Sequence, residues 1–144
     1  HSLLEDSYRY DLLELVLKGS DKYYVSDVEL HMPKPSYTSD TLAYLSDTFP
    51  SNKFSLIMGS DGLPTFHKWK NSEFIVEHYK RFVYPRNNIE EIDLSLYKNI
   101  ELVKAPKIEI SSSFIRKALI EGKDVEFFLH PKVYQSILKN RFYF

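Results

Sequence analysis

A chain of 144 residues with 43% hydrophobic and 15% aromatic side chains fits one domain, residues 1–144, with enough apolar material to bury a core. The 19 basic and 20 acidic side chains leave a formal net charge of −1, which gives no global electrostatic reason to bind a nucleic-acid backbone or an anionic membrane; any phosphate recognition has to be local. The lack of cysteine excludes disulfide frameworks, thiolate zinc sites and cysteine nucleophiles and suits a reducing compartment, so the cytoplasm is the expected location. No apolar run approaches the roughly 20 residues that span a bilayer, and the first residues do not form a signal peptide.

Ser2, followed by Glu5, is a candidate capping box for a first helix, whose apolar face of Leu12, Leu13, Leu15, Val16 and Leu17 stops at Gly19. Tyr23 to Leu30 reads as a strand with imperfect alternation, closed by Pro33 and Pro35. Leu42, Leu45 and Phe49 recur at helical spacing from Thr38 until Pro50 ends the segment, and Phe54 to Met58 reads as a short buried strand broken by Gly59-Ser60-Asp61-Gly62. After an irregular stretch containing Pro64 and Trp69, Asn71 or Ser72 is expected to cap a helix carrying Phe74, Ile75 and Tyr79. Arg81 to Tyr84 is a further strand, Asn87 to Asn99 a polar surface connection, and Ile100 to Val103 another strand. Ser112 to Ile120 is a helix ended by Gly122, and Pro131 opens a last helix to about Lys139. Helices alternating with strands predict an α/β fold with a mostly parallel sheet, whose ligands bind at the carboxyl ends of the strands.

Four segments could carry chemistry. Ile110-Ser111-Ser112-Ser113-Phe114-Ile115-Arg116 opens a helix with hydroxyls, free amides and a guanidinium one turn later, which suits a phosphate; its structural alternative is an ordinary N-cap. Gly59-Ser60-Asp61-Gly62 follows a strand and could set a carboxylate against ribose hydroxyls, or simply make an Asp-Gly turn. In Phe66-His67-Lys68-Trp69-Lys70-Asn71 the indole is flanked by cations, which suits stacking of a heteroaromatic ring beside an anion; alternatively the indole anchors a loop and His67 faces water. Lys34-Pro35-Ser36-Tyr37-Thr38-Ser39-Asp40-Thr41 enters the second helix and could cap it or hold a small anion. His1, His31, His67, His78 and His130 show no metal-ligand spacing, and neither a nucleophile elbow nor a P-loop occurs.

In this order, Leu56-Ile57-Met58-Gly59-Ser60-Asp61, Phe66-His67-Lys68-Trp69, and Ile110 to Arg116 followed by Glu121-Gly122-Lys123-Asp124-Val125 resemble bacterial nicotinate-nucleotide adenylyltransferases, members of the nucleotidylyltransferase superfamily. Pro35-Ser36-Tyr37-Thr38 adds to the likeness. The resemblance implies a Rossmann-like fold and adenylyl transfer from ATP to nicotinate mononucleotide, with Mg²⁺ arriving with ATP and no protein ligand cluster identified for it. It implies that Ser111, Ser112, Ser113 and Arg116 bind the ATP phosphates, with Arg116 also stabilising charge in the reaction, and that Gly59 and Asp61 lie against the ribose. It sets Trp69 against the pyridine ring and Thr38 near the ring carboxylate; Tyr37 and Lys68 are further substrate-binding candidates, Lys68 either steering the substrate or facing water.

Members of that family begin with a strand and a Gly-x-Phe-x-Pro-x-His-x-Gly-His-type loop whose histidines contact the transferring phosphate. No stretch of the 144 residues matches it, and the resemblance implies such a segment, about 30 residues or one βαβ unit, ahead of His1. The readings kept open are a non-catalytic nucleotide-binding module and an adenylyltransferase for nicotinamide mononucleotide or phosphopantetheine. The roles of His67, Lys70 and Arg86, and a homo-oligomeric state, are also left open.

Overall fold

The computed structural model describes residues 3–86 and 93–144, which pack as two compact units. One is formed by Pro33–Glu109; the other joins the chain up to Met32 with Ile110–Phe144. Ser2 of the expected capping box and the stretch 87–92 of the expected surface connection lie outside the described residues; the first helix begins at Asp6 with Glu5 as its N-cap, so Glu5 does not take the expected place inside a capping box.

The Pro33–Glu109 unit is built on a parallel sheet of three strands, β1 (Ser55–Gly59), β2 (Lys80–Tyr84) and β3 (Ile100–Leu102), in that spatial order. Helix α2 (Thr38–Thr48) precedes β1, and helix α3 (Ser72–His78) makes the crossover to β2. Leu42 of α2, Met58, Leu63, Phe66, Ile75, Tyr79 and Val83 form the buried core. The hydroxyls of Ser46 and Tyr79 meet at 3.0 Å and tie α2 to the end of α3. Arg81 is buried at 1% exposure with its guanidinium 4.5 Å from the Phe66 ring centroid, and it donates to the Lys98 carbonyl. Burial lowers the pKa of Arg81 from its ordinary value.

The second unit holds helices α1 (Asp6–Leu17), α4 (Ser112–Ile120) and α5 (Pro131–Asn140). Its core is Ala118, Leu119, Val125 and Ile137, with Ile115, Leu129, Val133, Tyr134, Phe142 and Tyr143 packed against it. Helix α1 lies along α5, and the Tyr8 and Phe142 rings meet at 5.1 Å. Gly122 ends α4 in the left-handed region at φ 69°, which lets the Lys123 amide return to the Ala118 carbonyl at 2.9 Å.

Three expectations are corrected. Tyr23 to Leu30 forms no strand: Ser20 Oγ accepts from the amides of Lys22 and Tyr23, Ser26 Oγ from that of Val28, and the segment closes in a 3₁₀ turn at Val28–Leu30. Local serine turns satisfy the backbone there, and Tyr23 and Tyr24, exposed at 63% and 82%, gain no packed face that would reward pairing. Strand β1 is buried on one side only, Leu56 and Met58 facing the core while Ile57 is 75% exposed, as the twofold alternation of a strand requires. In α1 the predicted apolar face is mostly exposed, Leu13, Leu15 and Val16 included. No helix among the described residues is long and apolar enough to cross a membrane.

Candidate functional site

Strands β1 and β2 end in register, Gly59 opposite Tyr84, so Ser60-Asp61 and Pro85-Arg86 leave the sheet side by side at its carboxyl edge. Ser60 is fully buried, and its Oγ accepts the Arg86 amide at 2.9 Å, fastening the two exits together. Above them Arg86 Nε lies 3.6 Å from Asp61 Oδ1, in an ion pair more than half exposed on both sides. The pair closes over Gly59. A Cβ on that residue would stand 2.2 Å from Asp61 Oδ1 and 3.0 Å from Arg86 Nε, so glycine supplies the room in which carboxylate and guanidinium meet. Tyr84 adds a third tie: its hydroxyl donates to the Pro106 carbonyl at 2.6 Å and accepts the Ile108 amide at 2.9 Å.

From Gly59 the chain enters a 3₁₀ segment, Ser60–Lys68, which drives Leu63 and Phe66 into the core and delivers Trp69 at its end. Trp69 is half-buried, with its ring 5.0 Å from that of Phe66. Asn71 adopts the left-handed conformation, φ 49°, and turns the chain into α3 without the side-chain cap expected of it. The start of α2 differs in the same way. Tyr37 is its N-cap with no side-chain hydrogen bond, so the amides of the first turn at Thr38 and Ser39 have no partner inside the helix.

Among the described residues Trp69 lines at least two cavities. One, of about 310 Å³, is bounded by Ser36, Tyr37, Thr38, Lys68, Trp69 and Lys70. The other, of about 450 Å³, carries Glu73 and Glu77 beside Asn71, Ser72 and Phe74. Only the first pairs the indole with cations and an open helix start; the two carboxylates of the second repel an anion. The four residues expected to bind the pyridine nucleotide, Tyr37, Thr38, Lys68 and Trp69, thus stand around one cavity.

The serine-rich segment belongs to the other unit. Ser111 is the N-cap of α4, its Oγ accepting the Phe114 amide at 3.1 Å, so this hydroxyl is engaged in capping. Ser112 and Ser113 are exposed in the first turn, where helix geometry leaves their amides without carbonyl partners. Arg116 is half-buried and reaches back to Ser113 Oγ at 3.2 Å, which holds its guanidinium beside those amides. At the other end of α4, the hydrogen bond and charge of Lys123, and after them Lys117, hold the Glu121 carboxyl below its ordinary pKa. Among the described residues no group of three or more His, Asp or Glu side chains is placed to hold a metal ion.

Sequence reasoning missed Ser60 and Tyr84 and left Arg86 unassigned. The hydroxyl directly after a strand and the Pro-Arg pair ending the next were visible, but only the strand register joins them.

A parallel sheet with a carboxylate at its carboxyl edge in one unit, and in the other a helix start with exposed serines and a guanidinium, are each features that α/β folds use to bind nucleotides. No protein-family model matches the chain. It is 42% identical over 144 residues to a Flavobacterium johnsoniae protein named "Probable nicotinate-nucleotide adenylyltransferase", covering 99% of this chain and 75% of the relative. The same name and the same coverage apply to a Flavobacterium psychrophilum protein at 44% identity. Among solved structures it superposes on Plasmodium falciparum nicotinic acid mononucleotide adenylyltransferase complexed with APC, with TM-score 0.79 and 25% identity over 99% of this chain and 78% of the other. For that enzyme complexed with NaAD the values are 0.78 and 26%, over 99% and 76%. The chain belongs to the nicotinate-nucleotide adenylyltransferase family and has its Rossmann-like nucleotidyltransferase fold.

Proposed function

We propose that this protein transfers the adenylyl group of ATP to nicotinate mononucleotide, giving nicotinate adenine dinucleotide and pyrophosphate in NAD biosynthesis. The observation that carries the reading is the cavity in which Tyr37, Thr38, Lys68 and Trp69 stand together. Its indole offers a face to a pyridine ring, and the α2 amides and the Lys68 ammonium offer partners to the ring carboxylate.

In the reaction the 5′-phosphate oxygen of nicotinate mononucleotide forms a bond to the α-phosphorus of ATP. The bond from that phosphorus to the bridging oxygen breaks, and pyrophosphate leaves with the electron pair. No protein nucleophile takes part. The task of the protein is to align two anions and stabilise the charge that develops between them. Arg116 and the amides of Ser112 and Ser113 suit the ATP phosphates, and Ser111 contributes chiefly by capping the helix that presents them. Gly59 and Asp61 suit the ribose once Arg86 yields the carboxylate. Mg²⁺ bound to ATP would supply neutralisation of phosphate charge beside Arg116.

The test is conversion. The enzyme, ATP and nicotinate mononucleotide are expected to give the dinucleotide and pyrophosphate in equal amounts, with nicotinamide mononucleotide and phosphopantetheine used poorly. Equal use of nicotinamide mononucleotide would remove the carboxylate role of the cavity. Binding of both substrates without turnover would favour the non-catalytic reading.

A further inference from the structure

The two lysines that flank Trp69 have different surroundings. Lys70 Nζ lies 2.8 Å from Asp40 Oδ2 and 4.6 Å from the centroid of the Tyr37 ring, so one ammonium is shared between the first turn of α2 and the residue that caps it. Lys68 lines the same cavity and has no carboxylate partner among the described residues. We propose that Lys70 is a positioning residue of the pyridine subsite, fixing the Tyr37 ring and the α2 start opposite Trp69, while Lys68 keeps the unshared charge that faces the substrate. The proposal rests on the reading that this cavity takes the pyridine ring.

The cavity has two walls that are distant in the chain, Ser36 to Thr38 on one side and Lys68 to Lys70 on the other. The Lys70–Asp40 pair spans them. Both partners are a little over 40% exposed, so the pair adds little to global stability. Its effect is local. Holding the walls at a set spacing before the ligand arrives reduces the ordering that binding would otherwise have to supply. The cation over the Tyr37 ring restricts that ring too, and Tyr37 carries the carbonyl that receives the Asp40 and Thr41 amides at the start of α2. Because Asp40 neutralises Lys70, this ammonium contributes little long-range attraction for an anion. That leaves Lys68 to supply it.

Trp69 is the sole tryptophan, so its fluorescence reports the cavity without turnover. The enzyme and its Lys70→Met, Lys70→Arg, Asp40→Asn and Lys70→Met/Asp40→Asn variants are titrated with nicotinate mononucleotide, with kcat and the KM for ATP measured alongside. Lys70→Met is expected to weaken nicotinate mononucleotide about fivefold to tenfold, the range of one exposed ion pair plus one cation–π contact, with kcat and the KM for ATP unchanged. Lys70→Arg restores most of the affinity, because a guanidinium still reaches Asp40 and the Tyr37 ring. In the Asp40→Asn background Lys70→Met costs less than in the wild type, because only the contact over the Tyr37 ring is left to lose. An undiminished affinity in Lys70→Met overturns the proposal, and so does a full loss in the Asp40→Asn background, which would make Lys70 a direct substrate contact. Equal losses for both substrates would make its role merely structural. If wild-type Trp69 fluorescence ignores nicotinate mononucleotide, the subsite reading itself fails and takes the proposal with it.

Discussion

The Asp61 carboxylate and the Arg86 guanidinium meet 3.6 Å apart directly over Gly59, whose missing side chain is what lets them meet. A ribose held by Asp61 has to share that carboxylate with Arg86 or displace the guanidinium. If Asp61 holds the ribose as proposed, Gly59→Ala is expected to act on ATP binding before it acts on the fold, because the atoms its Cβ would meet belong to two exposed side chains. The expected outcome is a KM for ATP raised about tenfold, the scale of one lost hydrogen bond to a charged group, with little change in melting temperature. A large fall in melting temperature at unchanged KM would assign Gly59 a structural role only.

Trp69→Ala is expected to raise the KM for nicotinate mononucleotide roughly tenfold to a hundredfold, as loss of one ring-stacking platform does, and that for ATP less than twofold. The indole also leans on the buried Phe66, so the variant melts lower. Trp69→Phe separates the effects, since it keeps a ring against Phe66. Parallel losses for both substrates would count against stacking.

The serines of α4 separate by assay. Ser111→Ala removes the N-cap and is expected to cost about 1 kcal/mol of stability. Arg116→Ala leaves the cap intact and is expected to lower kcat/KM for ATP by roughly a hundredfold, the cost of deleting one charge-stabilising donor. Unchanged ATP kinetics for Arg116→Ala would return this guanidinium to a solvated helix face.

The pH dependence at the far end of α4 follows from Glu121, whose carboxyl is depressed by Lys123 and Lys117. A carboxyl with a folded-state pKa below its unfolded value contributes stability above the unfolded value and loses it as pH falls through the folded one. Wild type is therefore expected to melt above Glu121→Gln at neutral pH, the two curves converging as the medium is acidified. A difference independent of pH would rule out the ion pair as its source.

Helices α4 and α5 begin where the sequence marks them, at Ser112 and Pro131, because apolar spacing coincides there with a serine cap and a proline; α2 begins at the expected Thr38 without a side-chain cap. The strand read at Tyr23 to Leu30 failed for the opposite reason: alternation without a packing partner loses to serine turns that close within three residues. Trp69 stood out by its cationic neighbours, and Thr38 and Tyr37 through the family resemblance, yet nothing local could say that Lys70 reaches Asp40 thirty positions earlier. Ser60 was hidden for the same reason. Its partner is the Arg86 amide, brought near only by the pairing of β1 with β2.

The most direct test of the account is a crystal structure of the enzyme with nicotinate mononucleotide bound. The pyridine ring is predicted to lie against Trp69 in the cavity bounded by Tyr37, Thr38 and Lys68, with its carboxylate at the α2 start. A ring seated on the Glu73 and Glu77 side of the indole, or away from Trp69 altogether, would contradict it.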